Sequence, residues 1–188
     1  MLKNNEKLVI VFTGELSCGK GTISKYIMKK YDASVYRFSD SLREILNLLY
    51  QEINRKNFSA LSSGLRKLFG ENYLAHVLIE KIKKDQKKII ILDGLRKKDE
   101  IKAFKIFNNF KLIYVDSCSE TRYERLIKRD ENKDDKKKTY KTFLKDASLE
   151  TEKNIRSFKR ISDYTIDNNG NLIDLYKNID NLIKNINK

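Results

Sequence analysis

A short apolar run, Leu8 to Phe12, leads into Gly14-Glu15-Leu16-Ser17-Cys18-Gly19-Lys20-Gly21-Thr22 and then into an amphipathic stretch. Residues of these types at these offsets can hold phosphate. Gly14 and Gly19 permit backbone conformations that turn successive N–H groups inward, and Lys20 sets a cation against terminal phosphates. Thr22 falls at the start of a helix, whose N-terminus already favours anions. G-x-x-x-x-G-K between a strand and a helix is the phosphate-loop pattern. A bare glycine turn would need neither Lys20 nor Thr22. The whole segment, with Glu15, Leu16, Ser17, Cys18 and Gly21, is therefore expected to line a nucleoside triphosphate such as ATP.

Further along, Arg43 and Arg96 each follow an expected strand end, where ligands bind in open parallel sheets. Guanidinium forks pair bidentately with phosphate and suit the orientation of an anionic acceptor. Arg122, Arg125 and Arg129 are three and four residues apart and share one face of an expected helix. Asp93 ends a buried strand, where a carboxylate can hold Mg²⁺ through water, and Thr22 is a second candidate for the ion. Asp40, just beyond the second strand, is positioned to act as a general base if the acceptor is a hydroxyl.

These residues need a scaffold, and the hydrophobic pattern supplies one. Short apolar runs at Leu8 to Phe12, Val35 to Phe38, Ile89 to Leu92, Leu112 to Val115 and Tyr164 to Ile166 alternate with stretches of helical spacing. That is the βαβ signature of a parallel sheet covered on both faces. Helices are expected from Thr22 to Lys30, from Ser41 with a capping-box spacing to Glu44, from Leu61 to Phe69, from Asn72 to Lys84, after Ser117 with Glu120, and from Leu172 to the C-terminus. The expected architecture is α/β, a three-layer α/β/α domain over residues 1–188 around a five-stranded parallel sheet. Two excursions interrupt it: a helical insertion at about 39–84 and a short charge-dense lid at about 129–146.

Composition bounds the remaining choices. The chain has 188 residues, 40 Lys+Arg against 26 Asp+Glu, a net charge of +14, 7 Gly and no Pro or Trp. Ten Tyr, nine Phe and a 40% hydrophobic content exclude a disordered chain, and the missing proline excludes collagen-like and polyproline architectures. Two cysteines make no disulfide framework, no apolar run approaches a membrane span, and the first residues lack a signal-peptide core, so a cytoplasmic location is expected. The lysines are scattered in pairs along the chain, and a solvated surface is the simpler reading of the charge. Cys118 and His76 have no metal-type partner spacing.

Four segments carry a resemblance to a family. The loop Gly14 to Thr22, then Ser39-Asp40-Ser41-Leu42-Arg43, Asp93-Gly94-Leu95-Arg96 and Arg125-Leu126-Ile127-Lys128-Arg129 occur in the order found in adenylate-kinase-like nucleoside monophosphate kinases, whose loops also read Gly-Lys-Gly-Thr. The third segment is one residue shorter than that family's Asp-Gly-Phe-Pro-Arg. The resemblance implies a P-loop kinase fold, ATP as donor, Mg²⁺ as cofactor, Arg43 and Arg96 on the acceptor phosphate, and Arg125 and Arg129 at a mobile lid.

Ser162-Asp163-Tyr164-Thr165-Ile166-Asp167-Asn168-Asn169-Gly170 is similar to the segment before the last helix of dephospho-coenzyme A kinases, which implies that Asn168 and Gly170 lie by the donor base. Leu65-Arg66-Lys67-Leu68-Phe69-Gly70 resembles a segment of small archaeal P-loop kinases and makes Arg66 an acceptor-side candidate. Three readings stand: transfer of the ATP γ-phosphoryl group to a nucleotide phosphate; dephospho-coenzyme A kinase, with a ribose hydroxyl as acceptor; and a non-kinase P-loop protein binding nucleotide or nucleic acid. Small-molecule nucleotides are the expected partners, with nucleic acid less favoured and no membrane.

Overall fold

A computed structural model describes residues 6–95, 97–129, 136, 138–148 and 150–186. The elements run β1 (Leu8–Thr13), α1 (Lys20–Tyr31), β2 (Ser34–Arg37), α2 (Phe38–Leu48), α3 (Arg55–Phe69), α4 (Tyr73–Lys84), β3 (Ile89–Asp93), α5 (Lys98–Phe104), β4 (Asn109–Asp116), α6 (Ser119–Lys128), α7 (Tyr140–Ala147), α8 (Glu150–Ser157), β5 (Tyr164–Asp167) and α9 (Leu172–Ile186). The five strands form one sheet in the order β2-β3-β1-β4-β5, and every neighbouring pair is parallel.

β1 is the centre of this sheet, and all six of its residues are buried. Its side chains alternate between two apolar layers, as a strand's period of two requires. Val9 and Val11 join Ile90, Leu92, Leu112 and Tyr114 beneath residues of α2, α4 and α5. Leu8, Ile10 and Phe12 join Ile91, Ile113 and Val115 beneath α1 and α9. A strand with helices on both faces can be apolar throughout, which is why β1 and β3 read as continuous runs. Each fully buried side chain of this kind contributes about 2 kcal/mol.

The α/β expectation and its five strands are met, with shifted boundaries. Phe38, expected to end the second strand, instead opens α2 and is buried against the Phe104 ring. The cap expected at Ser41 lies one turn earlier: Asp40 occupies the third helical position and accepts from the Arg37 N–H at 3.2 Å. Ser117 does not cap α6 either; Cys118 is the cap residue and has no side-chain cap bond. α3 begins earlier than expected, at Arg55, because the Asn54 side chain accepts from the Asn57 N–H. It ends at Gly70, at φ 91°, as the sequence foretold. The helices α5, α7 and α8 have no counterpart in the sequence reading.

The candidate active site

Register places the chemistry at one sheet edge. Phe12 pairs with Asp93, Arg37 also pairs with Asp93, and Asp116 pairs with Asp167, so the carboxyl ends of all five strands lie together. The loop from Gly14 to Gly19 leaves the central strand there, where β1 connects through α1 to β2 on one side and the adjacent β3 connects through α5 to β4 on the other. That is the switch point at which open α/β sheets bind ligands.

Close packing forces the loop's glycines. Gly14 sits at φ 148°, and a Cβ on it would lie 2.5 Å from the Val115 carbonyl oxygen. Gly19 caps α1 at φ 106°, and a Cβ there would lie 2.2 Å from Asn168 Nδ2. Ser17 also adopts a positive φ, 62°, and its buried hydroxyl has no partner among the described residues. Lys20 Nζ donates to the carbonyl oxygens of Gly14 at 2.7 Å and Glu15 at 3.2 Å. The amides at the start of a twelve-residue helix, an uncommitted hydroxyl and a primary ammonium thus converge on one short loop, which is an anion receptor. Gly21 differs, since a Cβ on it would meet nothing within 4 Å. Thr22 is exposed on the first turn of α1, and Cys18 is fully buried beneath the loop.

The loop is held from two sides. Asn168, 3% exposed, donates from Nδ2 to the Cys18 carbonyl at 2.8 Å, and Arg125 reaches both its Oδ1 (3.5 Å) and the Ser117 hydroxyl (3.3 Å). Asn169 accepts from the Cys118 N–H at 2.7 Å, joining the β5–α9 turn to the β4–α6 turn. The structure therefore places the Asn168 amide in the loop's own support. Gly170 lies in the same turn, and a Cβ on it would lie 3.9 Å from an Asp174 oxygen, an ordinary contact.

On the other side Glu15, 8% exposed, faces two guanidinium groups: Arg122 Nη2 at 3.2 Å and Arg156 Nε at 2.8 Å. Arg122 is itself buried. It donates to the Ser117 carbonyl at 3.1 Å and rests over the Phe143 ring of α7. Arg156, on α8, also donates to the Ala147 carbonyl at 2.9 Å. A buried carboxylate needs such compensation. Sequence reading missed Arg156 and did not foresee Glu15 as its partner; an acidic residue inside a phosphate loop, otherwise repelled by the ligand, was the available signal. Burial, followed by the nearby Glu15 charge, raises the Tyr114 phenol well above its ordinary pKa.

Among the remaining candidates, Asp93 is half-buried at the end of β3, and its carboxylate takes no hydrogen bond or ion pair from any described residue. Arg43 is exposed on α2, forms no ion pair with a described carboxylate, and lies over the Phe58 ring with its guanidinium carbon 5.3 Å from the centroid. Asp40 is committed to the start of α2. Arg66 pairs with the buried Glu100 at 3.0 Å, and Glu100 also accepts from the Lys97 N–H at the start of α5. Arg129 follows the last turn of α6 and is half-buried. Arg96, and residues 130–135 of the expected lid, lie outside the described residues.

Comparison with known proteins places this site. Residues 14–143 match the family model described as "AAA domain". A UPF0200 protein of Sulfurisphaera tokodaii is 31% identical over 95% of this chain and 97% of its own length. The chain belongs to the AAA domain and UPF0200 families of P-loop proteins. A second UPF0200 family member, from Staphylothermus marinus, is 28% identical over 95% of this chain and 92% of its own length. Among solved structures, shikimate kinase from Bacteroides thetaiotaomicron superposes with a TM-score of 0.64 at 13% identity, over 96% of this chain and 99% of that one. Shikimate kinase from Acinetobacter baumannii, in complex with shikimate, gives 0.54 at 14% identity, over 95% of this chain and 94% of that one. At these identities the likeness is one of fold: this chain has a P-loop kinase-like architecture.

Proposed function

We propose that the protein transfers the γ-phosphoryl group of ATP to the phosphate of a nucleoside monophosphate or deoxynucleoside monophosphate. The observation that carries this reading is the combination of the Lys20 loop with an arginine, Arg43 on the second turn of α2, that forms no ion pair with a described carboxylate. Stacking on Phe58 holds the Arg43 guanidinium while leaving its donors available, the state of a fork that receives an anion.

Lys20 and the loop amides hold the donor phosphates, and the Ser17 hydroxyl adds a donor that the protein itself leaves unused. Arg125 stands at the loop's flank, and Arg129 one turn on, where the two can neutralise charge that builds on the transferring group. Arg43, with Arg96, aligns the acceptor phosphate in line. An anionic acceptor oxygen needs no base, which agrees with Asp40 serving the start of α2. The Asp93 carboxylate fits Mg²⁺ held through water, because the ion keeps most of its waters and takes few protein ligands. When bound, the ion would offset the charge of the donor phosphates, with Asp93 and Thr22 the residues that would hold it. Exclusion of water from the transferring group would limit loss of ATP to hydrolysis.

A hydroxyl acceptor, as in dephospho-coenzyme A kinase, is the second reading. Asp40 is half-buried in the first turn of α2, just beyond β2, and only one of its oxygens accepts from the Arg37 N–H. Two variants decide between them. With a phosphate acceptor, Arg43→Ala raises the acceptor KM by about 10- to 100-fold, matching loss of a charged hydrogen-bond pair, while Asp40→Asn lowers kcat less than about fivefold. The reverse pattern, a collapse of kcat in Asp40→Asn with a nearly normal Arg43→Ala, would overturn the nucleotide-phosphate reading.

A further inference from the structure

The face formed by α1 and α9 lies on the layer opposite α2–α5, and its residues have no part in the phosphate chemistry beyond Thr22 at one end. Thr22, Lys25, Tyr26, Lys29 and Lys30 recur at helical spacing on one side of α1, and Tyr176 of α9 joins them around an open groove of about 620 Å³. The Tyr26 and Tyr176 rings are stacked, with centroids 4.0 Å apart and planes 5° from parallel, and together they make an aromatic wall.

Among the described residues, Asp180 is the carboxylate bonded to this face, and it is already committed. Asp180 accepts from Tyr26 Oη at 2.9 Å, Tyr31 Oη at 2.7 Å and Lys30 Nζ at 2.6 Å. That anchors Lys30 and fixes the orientation of both phenols. Lys25 and Lys29 are exposed, one helical turn apart, and form no ion pair with any described carboxylate. Two uncompensated ammonium groups beside a stacked pair of rings match a strand that alternates phosphates with flat bases. An acidic peptide would satisfy the lysines but leave the aromatic wall without a flat partner. The aromatic and basic halves come from α1 and α9, so no local sequence motif announces the combination.

We infer that the α1–α9 face is a binding surface for single-stranded nucleic acid, distinct from the phosphate loop and independent of the transfer reaction proposed above. Its phosphates lie along Lys25 and Lys29, and a base lies on the Tyr176 face turned away from Tyr26, whose own ring carries Lys30 Nζ at 5.3 Å.

Fluorescence anisotropy tests this with a labelled oligouridylate of about 12 nucleotides, an abasic strand of equal length and a polyglutamate competitor. The full chain should bind the oligouridylate saturably, and polyglutamate of equal charge should compete at least about tenfold more weakly. Lys25→Glu with Lys29→Glu should weaken binding at least about tenfold and reduce the log–log salt slope by about 1.5, the contribution of two phosphates. Tyr176→Ala should remove about fivefold or more of the preference for the base-bearing over the abasic strand. Lys20→Ala should bind as the parent does. Lys25→Gln with Lys29→Gln repeats the lysine test without charge reversal, and circular dichroism melting confirms that each variant is folded. The inference is overturned by no saturable binding, by unchanged affinity in the lysine variants, by equal competition from polyglutamate, or by loss of binding in Lys20→Ala.

Discussion

A methyl group on Gly19 would meet the Asn168 amide at 2.2 Å, and on Gly14 the Val115 carbonyl at 2.5 Å; on Gly21 it would meet nothing within 4 Å. The three loop glycines are alike in sequence and unlike in what they tolerate. Gly14→Ala should cost about 2 kcal/mol or more, combining an unfavourable backbone region with a clash against main chain that cannot move, read from urea unfolding. Gly21→Ala, in the first turn of α1 with an ordinary φ, should be neutral or stabilising by about 0.5 kcal/mol in the same titration. The loop was legible from its G-x-x-x-x-G-K spacing alone. What was not legible was the commitment of neighbouring polar groups. Asn168 had the right type for a base contact, yet its side chain holds the Cys18 carbonyl, and Arg66 had the right charge for an acceptor, yet it pairs with Glu100. Such pairings join residues 150 and 34 positions apart, beyond the reach of local spacing.

At the scale of elements, Glu15 ties the loop to α6 through Arg122 and to α8 through Arg156, and Arg122 in turn rests on Phe143 of α7. Two helices that flank the expected lid, and α7 within it, therefore report to one carboxylate in the Gly14–Gly19 loop. Arg122→Ala should cost about 3 kcal/mol, because it strips a partner from a buried charge, and should raise the ATP KM more than the acceptor KM. A chemical-denaturation curve and two substrate titrations check it.

A second junction is pH-sensitive. Tyr36 of β2 donates to Asp85, just after α4, at 2.6 Å, and burial together with this bond pushes the Tyr36 pKa up to about 12. Burial works against the Asp85 charge, but hydrogen bonds from Ser34 and Tyr36 prevail and hold its carboxyl below its ordinary value. The phenol's folded pKa exceeds the unfolded value of about 10, so its stabilisation is complete below about pH 10 and is lost as pH rises toward 12. The Asp85 contribution runs the other way, present near neutrality and lost as acid protonates it. Tyr36→Phe should therefore flatten the decline of the urea midpoint above about pH 10. The helices α5, α7 and α8 were missed because short segments in a lysine-rich background show little periodicity. The caps at Ser41 and Ser117 were misplaced because Arg37, with Asp40 bonded back to it, and Cys118 occupy the cap positions.

Over the whole molecule, the order β2-β3-β1-β4-β5 puts the loop-bearing strand in the middle and brings five strand ends to one edge. The apolar runs foretold the count and the parallel direction of the strands, since only a sheet covered on both faces tolerates such runs. Their spatial order is a property of long-range pairing and could not be read from them. The net charge of +14 is likewise mute in sequence and gains meaning from where lysines meet rings on α1 and α9.

The central claim, phosphoryl transfer at the Lys20 loop to a nucleotide phosphate, is most directly tested by following label from γ-labelled ATP into a panel of ribo- and deoxyribonucleoside monophosphates, with dephospho-coenzyme A alongside. Labelled nucleoside diphosphate that depends on both Mg²⁺ and acceptor, and that falls by at least about 1,000-fold, or about 4 kcal/mol of transition-state stabilisation, in Lys20→Ala is the predicted result. Label that reaches only water or dephospho-coenzyme A, or undiminished transfer in Lys20→Ala, would contradict it.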